Sequence, residues 1–286
     1  MRKMSSIFLL LLLVLSAVYV NSQELITIPD IENLEKAKVS SIFDGDTINT
    51  YQYAESIRLI GIDAPEIKAG SKPISEYGYK SYQFVKDRLI NVADRNVYLE
   101  FDEDKFDDYG RVLAYVYYED EEGNLILLNE EILKNGLARP LFYKDTSKKQ
   151  EIFVKAYIQA YEDRKGIFEK YDDESIVVES DALTQKDLGR MRWVKVKVKD
   201  VIKEGGNYYK IISEDEDFYY GIRKQEFDAF FDGYDIYDLV GEEVMFWGEI
   251  WFDQRTGQYE ILGRAPFEIK RFVNGVQGEG GDRQYG

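Results

Sequence analysis

The sequence contains no cysteine and no histidine among its 286 residues. Without cysteine the chain can form neither disulfide bonds nor thiolate metal sites, and thiol nucleophiles are excluded. Without histidine there can be no Ser-His-Asp triad and no histidine-based zinc site. Acid–base chemistry must therefore use carboxylates, lysine, tyrosine or water. A bound metal would need oxygen ligands, which favours calcium or magnesium over zinc or copper.

Basic residues are outnumbered: 37 lysines and arginines stand against 54 aspartates and glutamates, for a formal net charge of −17. Such a chain repels a polyanion at long range and gains little from counterion release. Tight binding of nucleic acid through the overall charge is therefore not expected. A local site made of a divalent cation and arginines is compatible with this charge, and most of the acids are interpreted as solvated residues.

Long apolar runs are scarce beyond the N-terminus. There, Arg2 and Lys3 precede an apolar run from Ile7 to Val14 that extends weakly to Val20, with small residues near Ser22. This layout predicts a cleaved signal peptide over residues 1–22, followed by a leader over residues 23–37. The run is shorter than the ~20 residues of a spanning helix, although an uncleaved membrane anchor is the alternative. We expect a secreted or periplasmic protein without a membrane partner after cleavage.

The middle of the chain predicts a small β-barrel with helices, an α+β domain of the oligonucleotide-binding (OB) type over residues 38–169. Runs rich in β-branched and aromatic residues predict its strands, at Lys38–Thr50, Ser56–Ile62, Val97–Phe101, Val112–Tyr118 and Leu125–Leu128. Amphipathic patterns and end signals predict its helices, at Ser75–Ile90, Asn129–Asn135 and Ser147–Lys165. Gly136 follows the second helix as a C-terminal stop.

The remainder predicts an acidic linker over residues 170–190, a second small OB-like β-barrel over residues 191–272 and a glycine-rich tail over residues 273–286. In its first strand Trp193 and three lysines alternate with valines; the lysines are Lys195, Lys197 and Lys199. This face is either a groove that stacks and holds a single strand or the solvated face of a barrel strand.

Three short motifs place charges on or beside apolar strands: Asp44-Gly45-Asp46-Thr47, then Arg58 to Glu66 reading RLIGIDAPE, then Tyr109-Gly110-Arg111. Charges placed there are costly unless they pair or bind something. Acids can hold a hard cation and guanidinium groups can hold an anion, the two needs of phosphate-ester cleavage. Taken singly, the acids could form an ordinary turn and Arg58 a structural salt bridge.

In this order the motifs resemble the signature of the staphylococcal nuclease (thermonuclease) family. Weaker similarities continue to residue 168, at Asn129–Leu133, Gly136–Arg139 and Gly166–Phe168. The resemblance implies an OB-type barrel and a calcium-dependent nuclease that cuts DNA and RNA, with single strands favoured, and leaves 3′-phosphates. The second barrel carries none of these motifs and is assigned no chemistry.

The same resemblance implies a metal site. Asp46 and Asp63 correspond to Ca²⁺ ligands, and Asp44 to a supporting acid. Ala64 corresponds to a ligand that acts through its backbone carbonyl, so a different side chain there is tolerated.

The resemblance also implies catalytic and substrate-binding residues. Arg58 and Arg111 correspond to the arginines that hold the scissile phosphate, for which a planar guanidinium fork is suited. Glu66 corresponds to the general base for the attacking water, or to a residue that orders metal-bound water. Tyr109 corresponds to a substrate-contacting tyrosine. A second aromatic role is predicted for Phe142 or Tyr143, of which Tyr143 is taken as the candidate.

The sequence therefore predicts an exported calcium-dependent nuclease with an appended OB-like domain and no implied protein partner. The alternative is a catalytically weak or inactive nucleic-acid-binding OB protein. A calcium-dependent surface protein, suggested by the acidity, is a third interpretation.

Overall fold

The computed structural model describes residues 29–68, 70, 72–273 and 276–278. The predicted signal peptide and most of the predicted tail lie outside these residues. The chain divides into two compact units, Met1–Asn33 and Leu34–Gly286. The described part of the first unit contains a short 3-10 helix, Ile31–Asn33. Within the described part of the chain, no helix has both the length and the apolar character needed to cross a membrane.

The second unit begins with a closed barrel of five strands. The strands of this half of the chain are β1 Glu35–Ile42, β2 Thr47–Thr50, β3 Ile57–Leu59, β4 Gly61–Asp63, β5 Asn96–Glu100, β6 Val112–Glu119, β7 Leu125–Leu127 and β8 Arg139–Leu141. Of these, β1, β2, β3, β5 and β6 form the barrel, and a parallel pairing of β3 with β6 closes the ring. Their inward side chains form a fully buried core that includes Val39, Ile48, Ile57, Val97 and Val112. The predicted OB-type barrel is confirmed.

Helices cover the barrel: α1 Gly78–Lys86, which continues as a π-helix over Asp87–Val92, α2 Leu128–Lys134 and α3 Gln150–Glu162. In α2 the buried Asn129 accepts a hydrogen bond from Val116 N (2.9 Å) and donates one to Ile60 O (2.8 Å). Gly136 has a φ of +62°, a conformation that glycine adopts readily at a helix end, and the predicted stop is confirmed.

Two predicted strands are each divided in the structure. Lys38–Thr50 becomes β1 and β2, separated by the acidic turn that contains Asp44 and Asp46. Ser56–Ile62 becomes β3 and β4, because Gly61 has a φ of +79° and the chain turns out of the barrel. Strand β4 then pairs with β8 in a separate two-stranded sheet, in which Asp63 lies opposite Arg139. This turn is what places Asp63 outside the barrel wall.

The rest of the chain, which we call the second β-region (residues 177–278), forms a nine-stranded sheet. Its strands are β9 Val177–Glu179, β10 Met191–Glu204, β11 Tyr208–Ser213, β12 Phe218–Arg223, β13 Glu243–Glu249, β14 Trp251–Asp253, β15 Gln258–Gly263, β16 Ile269–Val273 and β17 Val276–Gly278, with helix α4 at Lys224–Phe230. The long β10 pairs with β13 along its first half and with β11 along its second half. Strand β9, within residues 170–190, pairs in parallel with β10.

The basic face of β10 does not form the stacking groove. Trp193 is 2 % exposed, and its indole N–H donates to Tyr171 O at 2.7 Å inside the core. Each of the three lysines forms an ion pair with a glutamate: Lys195 with Glu179, Lys197 with Glu214 and Lys199 with Glu216. The groove interpretation is wrong at Trp193, and this face of the strand is a solvated one.

Candidate active site

The acidic turn between β1 and β2 holds two buried carboxylates. Asp44 accepts a hydrogen bond from Asp46 N (3.1 Å), while Asp46 accepts from the Thr47 hydroxyl (2.9 Å) and from Ala64 N (2.7 Å). A methyl group placed on Gly45 would lie 2.0 Å from Ser81 Oγ and 2.7 Å from Ala64 Cβ. Glycine is therefore required because the turn presses against both α1 and the chain after β4.

Arg58 joins the two predicted metal ligands. On β3 its guanidinium is almost fully buried, with Nη1 3.2 Å from Asp46 Oδ2 and Nη2 3.6 Å from Asp63 Oδ1. Nη1 also donates to Leu59 O at 3.1 Å. The carboxylates of Asp46 and Asp63, 17 residues apart in sequence, thus converge on one guanidinium group.

Lys72 links Glu66 to the same cluster of charged side chains. Its Nζ lies 2.9 Å from Asp63 Oδ1 and 3.5 Å from Glu66 Oε1. The Glu66 side chain is one-third exposed, so it can reach both this cluster and solvent water. The structure therefore places Asp44, Asp46, Arg58, Asp63 and Glu66 in one cluster.

The electrostatics differ between Asp44 and Asp63. Burial, together with the charge of Asp46, raises the pKa of Asp44 to about 7. Burial alone would also raise the pKa of Asp63, but the charges of Lys72, Arg139, Arg58 and Arg264 outweigh it and hold that pKa well below its usual range. Asp63 is thus fixed as a carboxylate at every ordinary pH, whereas Asp44 gains and loses its proton near neutrality.

Arg111 and Tyr109 form a pair at the start of β6. Arg111 Nε donates to Asp107 Oδ2 at 2.7 Å, and its guanidinium lies 5.5 Å from the centre of the Tyr109 ring. Tyr109 is 86 % exposed. Arg111 directly precedes β6, two residues before Leu113, which is the register partner of Arg58 on β3.

Tyr143 follows β8 and is half-exposed. The guanidinium of Arg223, from β12 of the second β-region, lies 4.5 Å from the centre of its ring and donates to Phe142 O at 3.1 Å. Tyr143 thus follows by two residues the strand that pairs with β4, which carries Asp63, and it is held there by an arginine of the second β-region that no sequence motif indicates.

Sequence reasoning also missed four charged residues around Asp63: Lys72, Arg139, Glu249 and Arg264. Lys72 stands in a polar stretch without periodicity, and Arg139 ends a weak motif that indicates no role for it. Glu249 and Arg264 lie more than 180 residues after Asp63, in a region without any recognised motif.

Comparison with known proteins agrees with this geometry. A family model described as staphylococcal nuclease homologue matches residues 56–170. The thermonuclease of Staphylococcus hyicus is 37 % identical over 138 residues, which cover 48 % of this chain and 77 % of that protein. The chain belongs to the staphylococcal nuclease family.

Other relatives are similar over a comparable share of the chain. The thermonuclease of Staphylococcus intermedius is 36 % identical over 138 residues, covering 48 % of this chain and 77 % of that protein. The SPbeta prophage-derived endonuclease YokF of Bacillus subtilis is 35 % identical over 131 residues, covering 44 % of this chain and 42 % of that protein. The staphylococcal nuclease model includes Arg58, Asp63, Glu66 and Arg111, and the second β-region from β9 onward lies beyond it.

Proposed function

We propose that this protein is an exported, calcium-dependent nuclease that hydrolyses phosphodiester bonds in DNA and RNA and leaves 3′-phosphates. The observation that carries the proposal is the convergence of Asp46 and Asp63 on the buried guanidinium of Arg58, with Glu66 close to Asp63. Membership in a family that contains named thermonucleases supports it.

The donor atoms of the site fit a hard cation. Asp46 and Asp63 would hold Ca²⁺, with the backbone carbonyl of Ala64 as a further ligand and Asp44 as a supporting acid. Within the described residues, no group of three or more acidic side chains stands close enough to hold a metal. Two carboxylates would therefore be joined by carbonyl and water oxygens to reach the six to eight ligands typical of calcium. The bound cation would neutralise charge that gathers on the phosphoryl oxygens.

Arg58 and Arg111 would bind the phosphate. A planar guanidinium matches two phosphate oxygens, and Arg58 is preorganised because Asp46 and Asp63 hold it in one orientation. Arg111 is bonded through Nε to Asp107 and keeps about a third of its side chain in solvent. The Glu66 carboxylate would take a proton from the attacking water or orient that water.

Tyr109 and Tyr143 would contact the substrate beside the phosphate. Both rings are exposed and stand against an arginine, which leaves one face of each available to a base or sugar. We propose single strands as the favoured substrate because an unpaired base can reach such rings.

We also propose that the chain divides into a nuclease domain over residues 38–169 and a β domain over residues 191–272.

The experiment measures cleavage of a labelled oligonucleotide by the purified protein with Ca²⁺, with excess chelator, and with Zn²⁺ added back. We expect cleavage with Ca²⁺, loss of activity in chelator, and no recovery with Zn²⁺, because the proposed ligands are all oxygen atoms. Full activity in chelator would contradict the metal assignment. Binding of nucleic acid without cleavage would favour the inactive binding protein. Mass spectrometry of protein recovered outside the cell tests export, since cleavage after residue 22 removes a defined mass.

A further inference from the structure

The second β-region packs directly against the sheet that carries Asp63. Arg139, the register partner of Asp63 in the β4–β8 pair, forms a 2.8 Å ion pair with Glu249 at the end of β13. Both side chains are almost completely buried. The guanidinium of Arg139 also lies 5.1 Å from the ring centre of Trp251 on β14. Residues of the second β-region therefore pack against the strand pair that carries Asp63, the proposed metal ligand.

Among these residues, Arg264 approaches Asp63 itself. It is fully buried, and its Nε donates to Pro140 O at 2.6 Å while Nη1 donates to Leu262 O at 3.0 Å. Its Nη2 has no hydrogen-bond partner and lies 3.8 Å from Asp63 Oδ2. Three backbone carbonyls, including Gly263 O, thus fix the guanidinium so that its remaining nitrogen points at Asp63.

The two oxygens of Asp63 share Lys72 but otherwise face different partners. Lys72 Nζ donates to Oδ1 at 2.9 Å and to Oδ2 at 3.3 Å. Arg58 lies 3.6 Å from Oδ1, and the fully buried Arg264 lies 3.8 Å from Oδ2. A buried guanidinium is costly to desolvate, and it is retained only with good geometry and compensating charge. The fork of Arg264 has that geometry because β8 and its own strand end supply the acceptors.

We propose that Arg264 is a positioning residue: through the second β-region it fixes the orientation of Asp63, so that the Asp63 carboxylate is held ready for the cation. The inference rests on the proposed function, in which Asp63 is a metal ligand. It makes the second β-region part of the active-site structure although that region contributes no group that touches the substrate.

The test uses the full-length protein and CaCl₂ alone, without nucleic acid. Calorimetric titration compares the wild type with Arg264→Lys and Arg264→Met. Lysine keeps the positive charge but loses the planar guanidinium fork, and methionine loses both. We therefore expect each variant to bind Ca²⁺ about 10- to 100-fold more weakly, which is the usual effect of losing a group that orients a metal ligand. A role that is only electrostatic predicts the opposite for methionine, because removing a nearby positive charge tightens cation binding. Tighter binding by Arg264→Met with no change in Arg264→Lys would overturn the inference.

The matched control is Tyr171→Phe. It removes a buried hydrogen bond to Phe267 O in the same β-region but does not touch Asp63. We expect this variant to lose stability and keep the Ca²⁺ affinity of the wild type. At saturating Ca²⁺ the Arg264→Lys enzyme should also regain a KM within about twofold of the wild type, because substrate contacts are unchanged.

Arg264→Gln gives a second route if the lysine and methionine variants do not fold. Its amide can donate to one of the backbone carbonyls that hold Arg264 but cannot hold all three, so we expect Ca²⁺ binding to weaken by about tenfold. Unchanged affinity in that variant would overturn the inference. A wild-type protein that binds no Ca²⁺ would overturn the metal assignment together with this inference. A binding wild type with equally binding variants would overturn this inference alone.

Discussion

Replacing Arg58 with lysine is the most direct test of the proposed chemistry. The guanidinium makes three contacts at once, with Asp46 at 3.2 Å, Asp63 at 3.6 Å and Leu59 O at 3.1 Å. An ammonium group is a single point of charge and can face only one of the two acids closely. The substitution therefore keeps the net charge but leaves one buried carboxylate poorly compensated.

The expected magnitude follows from these contacts. Removing one partner of a buried ion pair costs about 3–5 kcal/mol, and because lysine keeps one of the two pairs, we expect roughly half of that loss in the free energy of unfolding. In catalysis, loss of one preorganised donor to the phosphate should lower kcat by about 10²–10³-fold, which is about 2.7–4 kcal/mol in the activation free energy. The effect on activity should therefore exceed the effect expected from lowered stability.

The assay measures kcat on a quenched fluorescent oligonucleotide at saturating Ca²⁺, beside urea unfolding of the same preparations. Arg95→Lys is the matched control, because Arg95 is also partly buried and donates to two backbone carbonyls, Val39 O and Ser40 O, on the barrel. We expect that variant to keep its kcat within about threefold, since surface and structural arginines do not contribute to the transition state. An Arg58→Lys protein that is folded and cleaves at nearly the wild-type rate would show that Arg58 is only a structural ion-pair partner.

Three further predictions test other parts of the site. Gly45→Ala should lower the free energy of unfolding by about 1–3 kcal/mol and reduce activity, because its methyl group would overlap Ser81 Oγ and Ala64 Cβ. Adding Ser81→Gly to the same chain should restore part of both losses, as measured by urea unfolding and by the cleavage rate. No restoration would contradict the packing argument. Tyr109→Ala should raise KM for an oligonucleotide without changing the melting temperature, since the ring is 86 % exposed; an unchanged KM would remove it from the substrate contacts. Replacing Lys195, Lys197 and Lys199 of β10 with glutamine should leave KM and its salt dependence unchanged, because each lysine is already paired with a glutamate. A flatter salt dependence of KM would show that these lysines bind phosphates and would support the strand-binding groove.

The sequence by itself determined the barrel and the identity of the acids and arginines in its site. Alternating apolar residues specify strands locally, and the turn at Asp44–Asp46 and the arginine of β3 follow from short motifs whose spacing is fixed by the chain. The absence of histidine and cysteine already restricted any metal to oxygen ligands.

The tertiary structure decided the surroundings of those residues. The break between β3 and β4 depends on Gly61 and on the pairing of β4 with β8, which is a contact across some 80 residues of sequence. Trp193 shows the same limit: sequence alternation places it on the face of the lysines, but in the structure Trp193 and Val194 are both buried, because the packing of Tyr171 and neighbouring strands puts the indole inside.

The contacts of Glu249 and Arg264 with the Asp63 sheet could not be predicted, because they join two parts of the chain that have no shared motif or periodicity. Local sequence determines which charges exist and which strand carries them. Long-range packing determines which charges meet in a buried site, where desolvation makes pairing obligatory and fixes their geometry.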